Sequence, residues 1–464
     1  MKLNPSIFRE YDVRGLVDRD LSPEIAELIA KGFAAFYFKH KGFSFGKPKF
    51  IVARDNRPSS ESYAKAVISG LLSSGIEVID VSVVPVPLFY FAIVHFKADG
   101  GIIVTGSHNP PEFNGFKMCI DRWPIFGKQI QEVKKLIEAK KFRKVKENSS
   151  IMQKDIIEPY LNELRNKFYY ERKLKVVVDA GNGTAGIVAP RLLRSLGFEV
   201  VELYCEPDGT FPNHLPDPVV KEYVEELKST VISENADVGI AFDGDADRIG
   251  VINEKGERIE ADIVLLLLAR QLLAKKPNSK ILFEVKCSMA LIEDIKAHKG
   301  IPVMYRTGHS YIKQKMQEEK IPLGGEMSGH TFFAYDYYGF DDAIYAACKL
   351  LELLSFSDKS LSEMLADVPK YFSTPEIRVN CADEKKFEAV EKLRKSFRKE
   401  KGVELIEIDG IRVQYSDGWG LMRASNTQPA LILRFEAKTP ERLEEIKDLF
   451  RQKLKELKGF EFDF

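Results

Sequence analysis

The sequence predicts an α/β fold: three similar α/β domains with mixed, mostly parallel sheets, plus a smaller C-terminal α+β domain, around a central cleft. At 464 residues the chain is too long for one hydrophobic core. Its first three quarters alternate strand-like apolar runs with helix-like segments. A degenerate repeat also begins at 50–53, 176–178 and 281–283, where each apolar run leads into a polar turn and then a helix-like segment.

Four domains are expected from changes in composition along the chain, at 1–149, 150–255, 256–369 and 370–464. The first boundary follows a lysine-rich segment, and the second lies at a turn signal. The third marks the change from alternating strands and helices to an α+β pattern. In the last domain we predict strands at 377–379, 403–408, 411–415 and 430–436, helices at 384–401 and 440–457, and a glycine-rich loop before the strand at 430–436. No low-complexity linker separates the domains, so we expect them to share one cleft.

Bulk composition excludes several classes of protein. Sixty-nine basic residues balance sixty-nine acidic ones, so no overall field favours nucleic acid or an anionic membrane. Five widely spaced cysteines suit neither a disulfide framework nor a zinc site and fit a reducing compartment. Charges in the first twenty residues exclude a signal-peptide core, and the most apolar run, 263–269, is too short to span a bilayer. We therefore expect a soluble cytoplasmic protein without nucleic-acid or membrane partners.

The first loop with several polar side chains that could take part in chemistry, TGSHNP at 105–110, follows the strand-like run 100–104. It presents Ser107 as an exposed serine flanked by Gly106, with His108 next to it and Lys117 further on. A serine that accepts a phosphoryl group needs backbone donors, cations and little bulk in front of it. A Ser/Asn turn before proline is the structural alternative, and this short motif alone does not separate the two.

The second such loop, the aspartate-rich DGDADR at 243–248, follows a strand at 236–242. Its alternating carboxylates Asp243, Asp245 and Asp247 project hard oxygen donors toward one point, which suits Mg²⁺. Together with Glu254 they also match the spacing of an EF-hand. Arg248 stands where that loop requires glycine, and the entering element is a strand, so calcium binding is excluded.

Two other reaction classes are suggested by motifs of the middle region. Residues 181–186 form G-x-G-x-x-G after a strand, with Glu202 placed as a ribose-binding acid, which would indicate an NAD-dependent oxidoreductase. Asp179 puts negative charge at that turn, and such an enzyme does not need the neighbouring metal loop. A metal-dependent phosphatase of the aspartyl type would need D-x-D-G-T, and Ala246 stands where its glycine should be.

Two further loops carry groups that bind sugars and phosphates. GEMSGH at 325–330 joins flexible glycines to a carboxylate, which can accept two sugar hydroxyls, and a serine hydroxyl. RASNTQP at 423–429 joins a guanidinium, hydroxyls and an amide, which suits a phosphate clamp. A solvated glycine turn and a surface Ser/Thr turn are the respective structural alternatives.

These motifs together resemble those of the α-D-phosphohexomutase superfamily. TGSHNPPEFNGFK is similar to its active-site loop, and YDVRG (11–15), DAGNG, DGDADR, TGHS (307–310), GEMSGH and RASNT follow in family order along the whole chain. The resemblance implies that a phosphoryl group moves between the 1- and 6-hydroxyls of a hexose through phosphorylated Ser107 and a hexose 1,6-bisphosphate. It also implies Mg²⁺, the bisphosphate as activator, and a phosphosugar as the partner of a monomer or small homo-oligomer.

The same resemblance assigns roles to individual residues. It implies catalytic roles for Ser107, Arg14, His108, Lys117 and His309, and Mg²⁺ binding by Ser107, Asp243, Asp245 and Asp247, with Arg248 nearby. The implied substrate-binding residues are Tyr11, Lys286, Glu326, Ser328, His330, Arg423, Ser425, Asn426 and Thr427. The general base is left open between His309 and Lys117. Met327 and Asn426 favour a mutase of mannose and glucose phosphates over the related phosphoglucosamine mutases, where glutamine and a Gly-Thr-Glu clamp are expected.

Overall fold

A computed structural model describes residues 3–42, 47–143, 145, 149–425 and 429–455. The α-helices are α1 (Pro23–Lys41), α2 (Ser60–Ser73), α3 (Val86–His95), α4 (Lys128–Glu138), α5 (Ile157–Lys167), α6 (Ala189–Ser195), α7 (Glu225–Ser233), α8 (Ala261–Lys275), α9 (Met289–Ala297), α10 (His309–Glu319), α11 (Ala343–Ser355), α12 (Leu361–Met364), α13 (Asp383–Phe397) and α14 (Pro440–Lys455). Short 3₁₀ helices cover Pro5–Ile7, Thr184–Ile187 and Lys221–Val224.

The strands are β1 (Val13–Leu16), β2 (Lys49–Arg54), β3 (Glu77–Val83), β4 (Gly100–Val104), β5 (Phe113–Ile120), β6 (Trp123–Pro124), β7 (Ile151–Gln153), β8 (Lys175–Asp179), β9 (Glu199–Leu203), β10 (Val238–Phe242), β11 (Ile249–Asn253), β12 (Arg258–Ile259), β13 (Lys280–Glu284), β14 (Ile301–Tyr305), β15 (Leu323–Gly325), β16 (Thr331–Phe333), β17 (Phe372–Ser373), β18 (Ile377–Asn380), β19 (Glu404–Ile406), β20 (Ile411–Gln414), β21 (Gly418–Ala424) and β22 (Ala430–Ala437). The strands expected at the start of each repeat are β2, β8 and β13.

The chain divides into two compact units. The first comprises Met1–Val264 and Ser328–Ala366, and the second comprises Leu265–Met327 and Asp367–Phe464. The division between Met327 and Ser328 falls within the GEMSGH loop, and the division after Val264 falls within α8. The four domain boundaries expected from the sequence stay predictions.

Two mixed sheets form the first unit. One has the order β1-β5-β4-β2-β3-β7, with β6 paired to β5, and its β4, β2, β3 and β7 are parallel neighbours. The other has the order β12-β11-β10-β8-β9, in which β10, β8 and β9 are parallel. Their central strands β4 and β10 are buried along their whole length, which is why they read as continuous apolar runs.

The second unit holds a parallel sheet and an antiparallel one. Strands β14, β13 and β15 are parallel neighbours, and β17 and β18 pair antiparallel with β22, which continues through β21 and β20 to β19. Helices α13 and α14 contact this last sheet. Mixed, mostly parallel sheets followed by a C-terminal α+β region confirm the predicted fold class.

Strand β21 corrects the glycine-rich loop predicted before 430–436. Gly418–Ala424 is fully buried and pairs on both sides, with β20 and β22. A Cβ at Gly420 would lie 2.5 Å from a ring carbon of Phe450, so glycine lets α14 pack directly on the strand. Glycines in place of β-branched residues concealed the strand from sequence reasoning.

Each unit contains one of the two tryptophans of the sequence. Trp419 of β21 is fully buried, donates from Nε1 to Glu436 at 2.8 Å, and lies 3.9 Å below the guanidinium carbon of Arg412. Trp123 of β6 is half-buried, beside Arg122. The two indoles therefore occupy different environments in different units.

Among the described residues, the helices are too short or too polar to cross a membrane. The longest of them, α1, carries charges along its length and ends in Lys39, His40 and Lys41.

Asp342 caps the N-terminus of α11 and gives the fold a measurable pH dependence. Its carboxylate accepts from the Tyr345 amide at 2.8 Å and from the hydroxyls of Tyr160 and Tyr337 at 3.0 and 2.7 Å. Burial raises its pKa to about 6 even though these donors oppose the rise. The folded protein therefore binds a proton on the Asp342 carboxyl more tightly than the unfolded chain does. The contribution of this proton to the free energy of unfolding is fully present below about pH 4 and is lost as the pH rises through about 6.

We expect Asp342→Asn to remove this pH dependence, because an amide accepts from Tyr345 without a charge to bury. Urea unfolding of both proteins between pH 4 and 7 should show the free energy of unfolding of the native protein falling relative to that of the variant by about 3 kcal/mol. Taking the difference cancels the titration of the other carboxyls. A difference that is constant across this range would contradict the prediction.

Candidate active site

Ser107 lies in the loop between β4 and β5, at the carboxyl end of a buried parallel strand. Its Oγ donates to Oδ2 of Asp243 at 2.8 Å and lies 3.1 Å from Nδ1 of His108. Its backbone has a φ of 50°, a left-handed conformation that costs a residue with a Cβ roughly 1 kcal/mol. Ser107 is only 3% exposed, which corrects the exposed serine expected from the sequence. Gly244 approaches so closely that a Cβ there would overlap the Ser107 carbonyl oxygen, so the aspartate loop covers the serine.

The aspartate loop follows β10 and brings three carboxylates together. Asp243, Asp245 and Asp247 are buried, and one carboxylate oxygen of each lies within 4.8 Å of those of the others. Oδ1 of Asp243 accepts from the amides of Asp247 and Arg248 at 3.0 and 3.1 Å, which bends the loop around this side chain. Sequence reasoning predicted this cluster, and the structure forms it beside Ser107.

The charges of this cluster are only partly balanced by nearby cations. Nζ of Lys117, from β5, lies 2.9 Å from Asp245 and 2.6 Å from Asp247. Burial, and after it the charges of Asp247 and Asp245, raises the pKa of Asp243 well above its ordinary value. Burial also acts to raise the pKa of Asp247, but the neighbouring cations, Lys117 first, outweigh it and hold that pKa below its ordinary value.

The donor set fits a hard divalent cation. Oδ2 of Asp245 accepts from Thr105 at 2.9 Å, whereas among the described residues its Oδ1 is buried without a hydrogen-bond partner. A buried carboxylate oxygen without a donor is costly unless a cation binds it. Three carboxylates and a serine oxygen are the ligands that Mg²⁺ prefers, so the residues match this ion.

Arg14 and His108 lie around Ser107, and Tyr11 belongs to the same unit. Arg14 of β1 donates to Oδ1 of Asn109, in the serine loop, at 2.9 Å and pairs with Asp12 at 2.6 Å. Tyr11 is half-buried just before β1. Burial, and then the charges of Arg248 and Arg14, holds the pKa of His108 well below its ordinary value, so its ring is neutral at neutral pH.

His330 belongs to the same neighbourhood. Its Nε2 accepts from Nε of Arg248 at 3.1 Å, and its Nδ1 lies 3.1 Å from Asp341 and 3.5 Å from Asp247. Asp341 is fully buried and was not predicted from the sequence. The only signal for it is the adjacent pair of aspartates at 341–342. Ser328, two residues before His330, is half-buried in the same unit.

The predicted sugar-binding residues of the second unit surround Glu284, another residue that sequence reasoning missed. Glu284 is fully buried at the end of β13 and accepts from the Thr307 hydroxyl and the Lys286 amide at 2.9 Å each. Nζ of Lys286 lies 2.9 Å from Glu376. Oε1 of Glu326 accepts from the Gly308 amide at 2.5 Å, which brings the GEMSGH and TGHS motifs together. His309 is the first residue of α10.

Arg423 of β21 is held by an unpredicted carboxylate. Its Nε donates to Oδ2 of Asp409 at 2.8 Å, and the same oxygen accepts from the Thr307 amide at 3.0 Å. Ser425 is buried just after the strand, and its carbonyl accepts from Lys386 at 2.6 Å. The other two predicted clamp residues, Asn426 and Thr427, lie outside the described residues.

The G-x-G-x-x-G segment at 181–186 serves packing. The amide and hydroxyl of Thr184 both donate to the Gly244 carbonyl at 3.0 Å, so this turn supports the aspartate loop. A Cβ at Gly183 would lie 2.8 Å from that carbonyl oxygen, and one at Gly186 would overlap the Cys205 carbonyl. Its glycines are explained by close backbone contacts, which removes the basis for the dinucleotide-binding alternative.

Family models match nearly the whole chain in four consecutive segments. They are described as phosphoglucomutase/phosphomannomutase alpha/beta/alpha domain I over residues 5–144, domain II over 158–256, domain III over 260–372, and the C-terminal domain over 376–453.

Full-length relatives and a solved structure agree with these matches. A phosphomannomutase/phosphoglucomutase of Pseudomonas aeruginosa is 43% identical over 453 residues, which cover 98% of this chain and 96% of that protein. A probable phosphoglucosamine mutase of Thermococcus gammatolerans is 35% identical over 453 residues, covering 97% of this chain and 98% of that protein. The crystal structure of a phosphoglucomutase/phosphomannomutase family protein from Burkholderia thailandensis superposes with a TM-score of 0.91 at 40% identity, covering 98% of both chains.

Proposed function

Because the chain belongs to the phosphoglucomutase/phosphomannomutase family, we propose that it interconverts hexose 1-phosphate and hexose 6-phosphate, with mannose and glucose as the sugars. It is an intramolecular phosphotransferase of the isomerase class. The observation that supports this most directly is the position of the Ser107 hydroxyl. It lies after the end of β4, 2.8 Å from one of the three clustered, buried carboxylates that follow β10.

The reaction proceeds in two transfers through Ser107. In the first, the bond between phosphorus and Oγ of phosphorylated Ser107 breaks as a bond forms between phosphorus and the free hydroxyl of the sugar phosphate, giving hexose 1,6-bisphosphate. In the second, the bond between phosphorus and the sugar oxygen of the other phosphoryl group breaks as phosphorus bonds to Oγ, the proton of Oγ passes to that sugar oxygen, and the isomeric hexose phosphate leaves. The enzyme is left phosphorylated, and the same bisphosphate acts as activator by phosphorylating a free Ser107.

Electrostatics supply most of the catalysis, since phosphoryl transfer depends on positioning and charge neutralisation. Asp243, Asp245, Asp247 and the phosphorylated Ser107 would hold Mg²⁺, which neutralises charge on the transferring group. Arg14 and Lys117 add positive charge on the side of the serine loop. Loss of the phosphoryl group would remove an anionic oxygen ligand and should weaken metal binding.

The other predicted residues bind the sugar and its non-reacting phosphate. We assign this phosphate to Arg423, Ser425, Asn426 and Thr427, because Arg423 offers a charged planar donor and its Nε is already oriented by Asp409. The sugar hydroxyls at C3 and C4 are assigned to Glu326 and Ser328. Further contacts are assigned to Lys286, His330 and Tyr11.

The proton of the attacking hydroxyl needs an acceptor. Burial would lower the pKa of Lys117, but Asp245 and Asp247 outweigh it and raise that pKa above its ordinary value. Lys117 therefore serves as a cation. This leaves His309 as the candidate base, with neutral His108 beside the serine oxygen as a second group able to accept a proton.

Sugar specificity provides the test of the proposed function. Glu326 and Ser328 are assigned to C3 and C4, so these contacts do not test C2, where glucose and mannose differ. A site that leaves a group uncontacted discriminates it weakly, whereas one that hydrogen-bonds a hydroxyl can reject its absence strongly. We expect kcat/KM for glucose and mannose 1-phosphates to agree within about two powers of ten, and galactose 1-phosphate, inverted at C4, to be much poorer.

The measurement is a coupled mutase assay with these sugars and glucosamine 1-phosphate, at saturating Mg²⁺ and with bisphosphate activator. Turnover of none of them would contradict the proposed function. Preference for glucosamine 1-phosphate would favour the alternative, a phosphoglucosamine mutase, against which Met327 and Asn426 argue. Galactose 1-phosphate matching glucose 1-phosphate would contradict the assignment of Glu326 and Ser328.

A cytoplasmic location and a monomer or small homo-oligomer complete the proposal. All five cysteines are free thiols, and four of them are buried, which fits a reducing compartment. The balance of basic and acidic residues supports a small phosphosugar as the partner, with no nucleic acid or membrane.

A further inference from the structure

Arg57, between β2 and α2, lies beneath the Ser107 loop and uses every N–H of its guanidinium. Its side chain is completely buried. Nη1 donates to the carbonyls of Pro110 and Phe113 at 2.6 and 3.1 Å, and Nη2 donates to those of Ser107 and Asn109 at 2.7 and 2.5 Å. These four bonds place one planar cation under both ends of the loop.

The fifth donor fixes the guanidinium itself. Nε donates to Oδ2 of Asp55 at 3.1 Å, and the same carboxylate oxygen accepts from the Gly106 amide at 2.9 Å. A Cβ at Gly106 would lie 2.5 Å from Cζ of Arg57, so glycine at this position lets the guanidinium reach the loop. Asp55 also supplies the counter-charge that a buried guanidinium requires.

This arrangement maintains a backbone conformation that the loop would otherwise leave. Ser107 has a positive φ, which disfavours a residue with a Cβ. In this conformation of the loop, its Oγ donates to Oδ2 of Asp243 at 2.8 Å. Without Arg57, four carbonyl oxygens would lose their charged donor in a buried site. Because buried carbonyls without donors are costly, they would turn toward water, and this movement of the loop backbone would displace Ser107.

We propose that Arg57 is a positioning residue, which holds the serine loop so that the Ser107 oxygen stays among the metal-binding carboxylates. The inference rests on the proposed function, because it assigns Arg57 a role in phosphoryl transfer through Ser107. Arg57 does not contact the reacting atoms. It acts through the backbone of the loop that carries them.

Arg57→Lys tests the proposal, since lysine keeps the positive charge but offers three donors from one nitrogen and cannot span four carbonyls. We expect kcat for glucose 1-phosphate to fall about 100-fold, as for a misplaced reacting group, and KM to stay within about threefold, because the phosphate clamp is assigned elsewhere. Val67→Ala, in the buried face of α2, is the control: it destabilises the same unit and should leave kcat unchanged.

A rescue experiment separates positioning from general destabilisation. In Arg57→Ala, millimolar guanidinium should raise kcat at least about tenfold over that of the variant alone, by occupying the vacated site. Methylammonium lacks the planar arrangement of N–H donors and should not raise it. If both Arg57 variants fail to fold, Asp55→Asn keeps the shape of the side chain and should lower kcat about tenfold with KM unchanged, because the guanidinium loses its charged acceptor.

The outcomes distinguish this inference from the proposed function. An inactive native protein would contradict the proposed function itself. If the native protein is active and the kcat of Arg57→Lys lies within threefold of the native kcat, the proposed role of Arg57 is overturned. A loss of kcat in Val67→Ala equal to that in Arg57→Lys, or no rescue by guanidinium, would also overturn it.

Discussion

Ser107→Ala is expected to lower kcat for glucose 1-phosphate by roughly four powers of ten or more, the scale seen when a covalent nucleophile is removed. The Ser107 hydroxyl is the one group of the protein to which the proposed mechanism attaches the phosphoryl group. Alanine retains the Cβ and the buried position, so the loop and the carboxylates around it should keep their fold. We therefore expect the loss in turnover with little change in the thermal unfolding midpoint.

Two measurements check this result. Intact-mass analysis should show one phosphoryl group on the native protein, mapping to the peptide with Ser107, and none on the variant. Ser73→Ala is the matched control, because that hydroxyl lies in α2 and donates to the nearby Gly70 carbonyl. A Ser107→Ala protein with native kcat would disprove the covalent mechanism.

Asp245→Asn is expected to have the second-largest effect, because its Oδ1 is buried without a hydrogen-bond partner among the described residues. Replacing it by an amide removes one ligand charge, and we expect kcat at moderate Mg²⁺ to fall by roughly two powers of ten, or about 3 kcal/mol. Higher Mg²⁺ should restore part of the rate. Chelation of metal from the native protein should abolish turnover.

Thermal unfolding gives a readout that does not depend on activity. Mg²⁺ should raise the unfolding midpoint of the native protein, since a ligand that binds only the folded state stabilises it, and should raise that of Asp245→Asn less. Asp208→Asn, in an exposed turn where the carboxylate accepts from Thr210, is the control and should respond like the native protein. Native turnover that survives complete chelation would refute the metal assignment.

The loops of the site were predictable because each one is contiguous in sequence. Ser107 and the three aspartates follow buried parallel strands, and such strands read as apolar runs that end in polar turns. The sequence therefore predicted both the strands and the chemistry at their carboxyl ends. The role of each individual residue is still a prediction.

The residues that support these loops could not be predicted in the same way. Arg57 contacts the Ser107 carbonyl across 50 residues of sequence, and Asp409 contacts the Thr307 amide across 102. Asp341 lies beside His330. Each stands in an unremarkable polar segment, and only tertiary packing gives it a partner. Burial of Ser107 was missed for the same reason, since the aspartate loop that covers it is more than 130 residues away in sequence.

The two tryptophans allow the unfolding of each compact unit to be followed by intrinsic fluorescence. Trp419, fully buried in the second unit, should emit at shorter wavelength than the half-buried Trp123 of the first. Replacing Trp123 by phenylalanine leaves an indole that reports on the second unit alone, and replacing Trp419 leaves one that reports on the first. Comparing the two denaturation curves would then reveal whether the units unfold in one cooperative transition or in separate ones.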